Sequence, residues 1–228
     1  MCGRFTHRLT GSDLLRLYRL ATPAGVEMRP RYNVAPSQPI PIVRRRSGDD
    51  RELVMARWGL IPAWSKGPDS RFSMINARAE TVLEKPAYRD AFRRRRCLIP
   101  ADGFYEWQKV AGGKQPWYFV MADERPFSFA ALWELWNGPR GEILSCAIIV
   151  GPANDLVKPV HDRMPVIVDE ADYGAWLDVD AFPAEAALTI LRPYPAGRMK
   201  TYKVGKRVNR PENDDPDCLA PLQTGELL

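Results

Sequence analysis

The stretch RCLIPADGFYEWQK, residues 96–109, opens the part of the chain in which strand patterns replace helical ones. A Gly112-Gly113 turn follows it, and three further apolar runs are typical of strands. These runs are QPWYFVM (115–121), FSFAALWEL (127–135) and ILSCAIIV (143–150). Because short turns join successive strands, we expect a mainly antiparallel, barrel-like sheet.

The segments on either side add short helices and a few strands to this sheet. We expect helices at 12–18, 87–92, 169–177 and 184–191, and strands at 40–43, 52–58 and 165–168. Residues 62–70 form a predicted loop, and MINARAETVLE (74–84) begins extended and becomes helical. The sequence therefore predicts an α+β fold with short peripheral helices. We expect one domain over residues 1–228, with residues 209–228 as an irregular tail.

The composition excludes several classes of protein. Hydrophobic residues at 45% and charged residues at 27% exclude a disordered or fibrous chain. The longest apolar stretch, Ile143–Val150, is far shorter than the roughly 20 residues of a membrane helix. The start MCGRFTHR has no apolar signal core, so we expect a soluble cytoplasmic protein with no membrane partner.

Positive charge is concentrated in one half of the chain. Residues 1–100 hold 20 basic and 9 acidic side chains, whereas residues 101–228 hold 13 and 19. Arginine supplies 25 of the 33 bases, and its planar guanidinium suits phosphate and flat rings. The pattern favours nucleic-acid binding, and a solvated surface is the alternative. We expect the run Arg93–Arg96 to be a solvated helix end.

The four cysteines, at positions 2, 97, 146 and 218, show no metal-ligand spacing. With only two histidines in the chain, we expect neither a zinc site nor another metal or cofactor. Cys97 and Cys146 lie in apolar runs typical of a core, and Cys218 lies in a polar tail.

Cys2 differs because it follows Met1, which is normally removed before a small side chain. Its α-amine would then have a pKa of about 7.7–8.0, well below the ~10.4 of lysine, so part of it is neutral and nucleophilic at pH 7. The thiol could attack an amide with the amine as base. Alternatively, the amine could condense with an aldehyde, and the thiol could close a thiazolidine ring. An ordinary terminal residue is the third interpretation.

Four other residues could carry out acid–base chemistry or bind a ligand. Glu106 lies between Tyr105 and Trp107, where desolvation would raise its pKa, although an exposed edge-strand carboxylate fits the same pattern. His161 stands at a loop-to-strand junction and would titrate near neutrality, although a lone histidine is often structural. Asn76 and Arg78 would project to one side of an extended segment.

Two tryptophans lie around a proline-containing loop. Trp64 is a candidate for stacking on a nucleic-acid base, and core packing is the alternative for both, favoured at Trp58.

Together these segments resemble one family, the SOS response-associated peptidase (SRAP) family. The matching blocks follow the family's order and cover nearly the whole chain. They are MCGRFT, RYNVAPSQ, RWGLIPAWSK, MINARAETV, RCLIPADGFYEW, ALWEL, HDRMPVIV and VNRPENDDP. The resemblance implies a sensor and shield of abasic sites in single-stranded DNA, in which the N-terminal Cys traps the sugar aldehyde as a thiazolidine crosslink. It also implies a weak abasic-site lyase activity. The family name implies self-removal of Met1, although a methionine aminopeptidase would give the same product, and the sequence leaves both routes open. We expect a monomer that acts at replication forks or junctions.

The family's functional residues carry over by motif. Cys2 would be the nucleophile, and Asn76 would hold the amine or sugar. Glu106 would shuttle protons, and His161 would be a second acid or base near the sugar. The residues implied to bind DNA are Arg4, Asn33, Trp64, Arg78 and Arg163, with the three arginines on phosphates.

Two other functions are open at this point. A glutamine amidotransferase of the N-terminal-nucleophile class also begins Met-Cys-Gly, but here Arg4-Phe5 replaces the usual small apolar continuation. A non-catalytic single-stranded DNA-binding module would bind regardless of an abasic site.

Overall fold

The structure is a computed structural model that describes residues 2–20, 28–48, 50–68, 74–139 and 141–222. Five strands form an antiparallel sheet, sheet A. They are β1 (Phe5–His7), β2 (Arg31–Val34), β7 (Gly103–Val110), β8 (Gly113–Met121) and β13 (Met199–Lys203). Their spatial order is β13–β8–β7–β1–β2, so the N-terminal strand lies inside the sheet. The sequence patterns did not predict β1, β2 or β13.

The remaining eight strands form a second sheet, sheet B. They are β3 (Pro39–Ser47), β4 (Asp50–Trp58), β5 (Asn76–Arg78), β6 (Arg96–Ala101), β9 (Phe127–Gly138), β10 (Gly141–Pro152), β11 (Arg163–Pro165) and β12 (Ile167–Val168). β10, β4, β3, β6 and β9 pair in that order, and β9 pairs back onto β10, which closes a five-stranded barrel. Among the described strands, only the pairings of β10 with β4 and β5 are parallel. The prediction of a mainly antiparallel, barrel-like α+β fold is confirmed.

The helices are short, as the many prolines predict. Among the described residues they are α1 (Gly11–Tyr18), α2 (Arg89–Arg94), α3 (Tyr173–Leu177) and α4 (Ala184–Ala187). Single 3₁₀ turns at Ala79–Thr81, Glu170–Asp172 and Leu188–Ile190 occupy parts of the predicted helical segments. The N-cap of α1 is Thr10, two residues before the expected Ser12-Asp13 start. Thr10 Oγ1 accepts from the Asp13 backbone N–H, and the Asp13 carboxylate accepts from the Thr10 N–H. None of the helices among the described residues has the length and apolar character needed to cross a membrane.

The main core lies where sheet A covers the barrel. Phe5 of β1 contacts Trp58 and Phe129 edge-to-face, with ring centroids 5.2 and 5.7 Å away. Cys97 and Cys146 are fully buried in this core, as predicted. A second core packs α1, α2 and α3 against the outer face of the barrel. Cys218, expected in a polar tail, is buried because its segment packs against sheet A.

The arginine run at the end of α2 does not form one solvated surface, contrary to expectation. Arg93 and Arg94 are exposed, but Arg95 donates to Glu134 at 2.8 Å. Arg96 is buried, and its Nε donates to the Trp176 carbonyl at 2.7 Å. Half of the run therefore holds α2 and α3 against the barrel.

Candidate active site

Cys2 is fully buried at the start of sheet A, where its backbone is held from the second sheet. The Asn76 side-chain amide donates to the Cys2 carbonyl at 3.0 Å. Asn76 is the first residue of β5, which runs parallel to β10 with Ile148 as its partner. Burial, and then the charge of Glu106, raises the pKa of the Cys2 thiol well above its ordinary value. The thiol is therefore neutral, and Met1 lies outside the described residues.

Glu106 lies on the strand next to Cys2. β7 pairs with β1, and the Tyr105 N–H donates to the Arg4 carbonyl at 3.0 Å. Glu106 is 2% exposed, and burial raises its pKa to about 7. A carboxyl group with this pKa holds or releases a proton near neutrality. Its charge also acts on Cys2, so the two groups are electrostatically coupled.

The aromatic neighbours of Glu106 in sequence are not the cause of its burial. Side chains alternate across a strand, so Tyr105 and Trp107 face away from it. Tyr105 packs in a third cluster on the outer face of sheet A, whereas Phe104, which shares the face of Glu106, belongs to the main core. The predicted rise in pKa and its cause, desolvation, are confirmed, but the desolvation comes from packing against the main core and not from Tyr105 and Trp107.

His161 ends the turn between β10 and β11. Its backbone N–H donates to the Val157 carbonyl, and its Nδ1 accepts the Arg163 N–H at 3.0 Å. Asp162 Oδ1 lies 2.9 Å from the same nitrogen, but this carboxylate is 84% exposed and its charge is screened by water. Burial lowers the pKa of His161, which favours the neutral ring.

Arg78 and Arg163 lie on either side of β10. Val150 of β10 pairs with Arg78, and Pro152 pairs with Arg163. Burial alternates along β5, which puts exposed Arg78 on the same side as Asn76, as expected. The Arg163 guanidinium forms an ion pair with Glu80, and this hydrogen bond lowers the pKa of that carboxyl group.

Arg4 and Asn33 are held by the C-terminal segment, residues 208–214. Arg4 donates to Asn33 Oδ1 at 2.8 Å and to the Val208 carbonyl at 2.7 Å. Asn33 is fully buried, and its amide donates to the carbonyls of Val208, Arg210 and Asn213. In this position the Asn33 side chain holds Arg4 and the C-terminal segment, and it does not reach the surface.

Trp64 is 70% exposed, and the loop that carries it is held in place by Trp136. The Trp136 indole N–H donates to the Ser65 carbonyl at 2.9 Å. Gly67 has a φ of +127°, and a Cβ there would lie 3.1 Å from the Trp136 ring. Trp58, in contrast, is fully buried and donates to the Ile75 carbonyl. The structure thus leaves Trp64 available for stacking and assigns Trp58 to the core.

Two features of the site are not predictable from the sequence. The Tyr88 hydroxyl donates to the Asn76 carbonyl at 3.0 Å and ties α2 to β5. Asp214 accepts the N–H groups of Tyr32 and Asn33 and so fastens the C-terminal segment to the edge strand β2. The motif VNRPENDDP contains Asp214, but its spacing says nothing about the strand it contacts. Among the described residues, no cluster of three or more His, Cys, Asp or Glu could hold a metal ion.

Comparison with known proteins gives a consistent result. A family model described as SOS response associated peptidase (SRAP) matches residues 1–211. The Bacillus subtilis protein "Abasic site processing protein YoqW" is 40% identical over 223 residues, which span 96% of this chain and 99% of that protein. "Abasic site processing protein HMCES" of Gallus gallus is 32% identical over 229 residues, covering 86% and 68%.

A solved structure shares the fold of this chain. A crystal structure of a protein from Bacteroides thetaiotaomicron has a TM-score of 0.84 and 24% identity, and covers 97% of this chain and 100% of that one. The family model also includes the Met-Cys-Gly start on which the amidotransferase interpretation rested. From these matches we conclude that the chain belongs to the SOS response associated peptidase (SRAP) family.

Proposed function

We propose that this protein recognises abasic sites in single-stranded DNA and shields them through a covalent bond to Cys2. The observation that carries the proposal is that Cys2 and Glu106 are both buried on neighbouring segments and electrostatically coupled, with burial raising the pKa of Glu106 to about 7. The names of the relatives YoqW and HMCES support abasic-site DNA as the substrate. The single-stranded regions of replication forks or junctions are the proposed place of action.

The proposed chemistry begins once Met1 is removed. The Cys2 α-amine adds to the aldehyde of the opened deoxyribose, and loss of one water leaves an imine. The thiol then adds to the imine carbon while the nitrogen gains a proton, which closes a thiazolidine ring. Because burial keeps the Cys2 thiol neutral, the amine acts first and the thiol needs a base. Glu106 can supply the proton for loss of water and can accept the proton of the thiol.

A lyase side reaction and the removal of Met1 belong to the same proposal. The imine makes the neighbouring sugar C–H more acidic, so β-elimination of the 3′ phosphate gives a weak lyase activity, with His161 as acid or base. Removal of Met1 has two routes, attack by Cys2 on its own preceding amide and cleavage by a methionine aminopeptidase. The buried, neutral thiol favours the second route.

The direct test mixes protein that lacks Met1 with an abasic single strand or with the same strand intact, and separates the products under denaturing conditions. A complex that survives denaturation only with the abasic strand supports the proposal. Equal noncovalent binding to both strands, with no surviving complex, would identify a non-catalytic binding module instead.

Strand binding gives a separate prediction at Arg78, which is exposed and has no ion pair among the described residues. Replacing Arg78 by Ala should make the log–log salt dependence of binding to undamaged single strands shallower by about 0.7, the contribution of one phosphate. Equilibrium titrations at several salt concentrations measure this slope. The matched control is Arg125→Ala, at an arginine that is 67% exposed and paired with Asp123. An unchanged slope for Arg78→Ala would remove this residue from the DNA interface.

A further inference from the structure

The exposed side of α2, together with the turn that precedes it, carries cations that the proposed chemistry does not use. The Arg89 N–H donates to the Lys85 carbonyl at 3.0 Å, so a helical turn separates Lys85 from Arg89, and another separates Arg89 from Arg93. Within α2, the step from Arg89 to Arg93 is about 6 Å along the helix axis. The opposite side of α2 is buried through Ala91 and Phe92, which fixes the cations facing outward. We call Lys85, Arg89 and Arg93 the α2 row.

The α2 row has little local charge to neutralise it. Arg95 forms an ion pair with Glu134, and Arg96 donates to carbonyl groups near α3. Among the described residues, neither Lys85 nor Arg93 has an ion-pair partner within 4 Å. Arg89 lies 3.9 Å from Asp90, and both side chains are about half or more exposed, so this contact is weak. Residues 84–94 contain two carboxylates, Glu84 and Asp90, and four cations, which leaves a surplus of positive charge.

A chain of hydrogen bonds connects this row to Cys2. Asn76 donates to the Cys2 carbonyl, and the Tyr88 hydroxyl donates to the Asn76 carbonyl, each at 3.0 Å. Arg89 follows Tyr88 directly in the sequence. Tyr88, the N-cap of α2, thus ties the start of this helix to the strand whose Asn76 holds the nucleophile.

We propose that the α2 row binds the phosphates of the single strand on one side of the abasic nucleotide. This inference rests on the proposed function, because it takes the strand to be anchored at Cys2. Successive cations along a helix suit the repeating charges of a strand backbone and would track it without reading its bases. Because Tyr88 connects a single row to the site, the proposal assigns the row to one flank of the abasic nucleotide, 5′ or 3′, and not to both.

The test uses two oligonucleotides that contain a stable, aldehyde-free abasic analogue, one with it near the 5′ end and one with it near the 3′ end. The variant Arg89→Gln/Arg93→Gln should weaken binding to only one of them and make its log–log salt slope shallower by about 1.4, for two phosphates. The pair Arg89→Lys/Arg93→Lys should restore the slope. The control Arg125→Gln/Arg192→Gln removes the same charge from exposed arginines elsewhere.

Equal weakening of both oligonucleotides, no weakening, or the same asymmetry in the control pair would overturn the proposal. A melting temperature measured for every variant detects a loss of fold, because Arg93 lies in the last turn of α2, where a cation stabilises the helix. Crosslinking of the unmodified protein to an aldehyde-bearing abasic strand is scored separately. Its failure would refute the proposed function, whereas symmetric binding would refute only the role of the α2 row.

Discussion

Replacing Cys2 by alanine should abolish the denaturation-resistant complex with an abasic strand. The variant keeps an α-amine after Met1 removal, so an imine still forms, but without the thiol no ring can close and the imine hydrolyses. Borohydride should therefore capture a complex from the variant that is absent without reductant. Denaturing electrophoresis with and without borohydride measures both forms.

The matched control for this variant is Cys146→Ala, because Cys146 is equally buried but lies in the barrel core. It should crosslink like the parent protein, apart from a loss of stability from the small cavity. If Cys2→Ala forms as much resistant complex as the parent without reductant, the ring is not what makes the complex stable.

The second large effect is expected at Glu106. Glu106→Gln keeps the size and much of the hydrogen bonding but cannot exchange the proton. General acid–base groups contribute about 10²–10⁴-fold, and we expect a loss in this range for both crosslink formation and reversal. Reversal is the more sensitive measurement, because ring opening needs a proton on the leaving group. The rate of crosslink reversal by the parent protein should fall as the pH rises through about 7. The rate of the variant should stay low and nearly independent of pH.

Stability gives an independent readout of the same group. Burial raises the pKa of Glu106 from 4.5 to about 7, so protonated Glu106 is favoured in the folded state. This contribution to stability is complete below pH 4.5 and is lost as the pH rises through about 7. Glu106→Gln should therefore be more stable than the parent at pH 8, by up to about 3 kcal/mol, with the advantage gone at pH 4. Denaturant titrations at the two pH values measure the difference.

His161→Ala provides the comparison for the kinetic result. His161 is neutral and partly exposed, and its loss should slow the lyase reaction and crosslink turnover while initial strand binding persists. A Glu106→Gln protein that forms and releases the crosslink at the parent rate between pH 5 and 8 would show that Glu106 has only a structural role.

The barrel was predictable from sequence because its strands are long, apolar and joined by short turns. β9 and β10 illustrate this, since each has 12 residues and they form one hairpin. β1 and β2 escaped prediction because three or four residues carry too little pattern to show periodicity. Their pairing depends on β7, a long-range contact that no local pattern reveals.

The residues of the candidate site were predictable from the sequence, but their side-chain contacts were not. The motifs identified Cys2 and Glu106, yet the cause of the Glu106 pKa lay in the alternation of side chains in β7 and in packing against the barrel. Asn33 was expected at the DNA, and the structure places its side chain under the C-terminal segment, since the partners of a buried amide are distant in sequence. The contact between the Tyr88 hydroxyl and the Asn76 carbonyl could not be predicted for the same reason.

The central claim is that both the amine and the thiol of Cys2 bind one sugar carbon. The most direct measurement is mass spectrometry of the N-terminal peptide after the DNA of the crosslink has been digested. Thiols are alkylated in separate samples before and after this digestion. We predict a peptide that begins at Cys2 and carries the sugar remnant with the loss of one water, and whose sulfur resists alkylation. An adduct with an alkylatable Cys2 thiol, or an adduct on a lysine, would contradict the account.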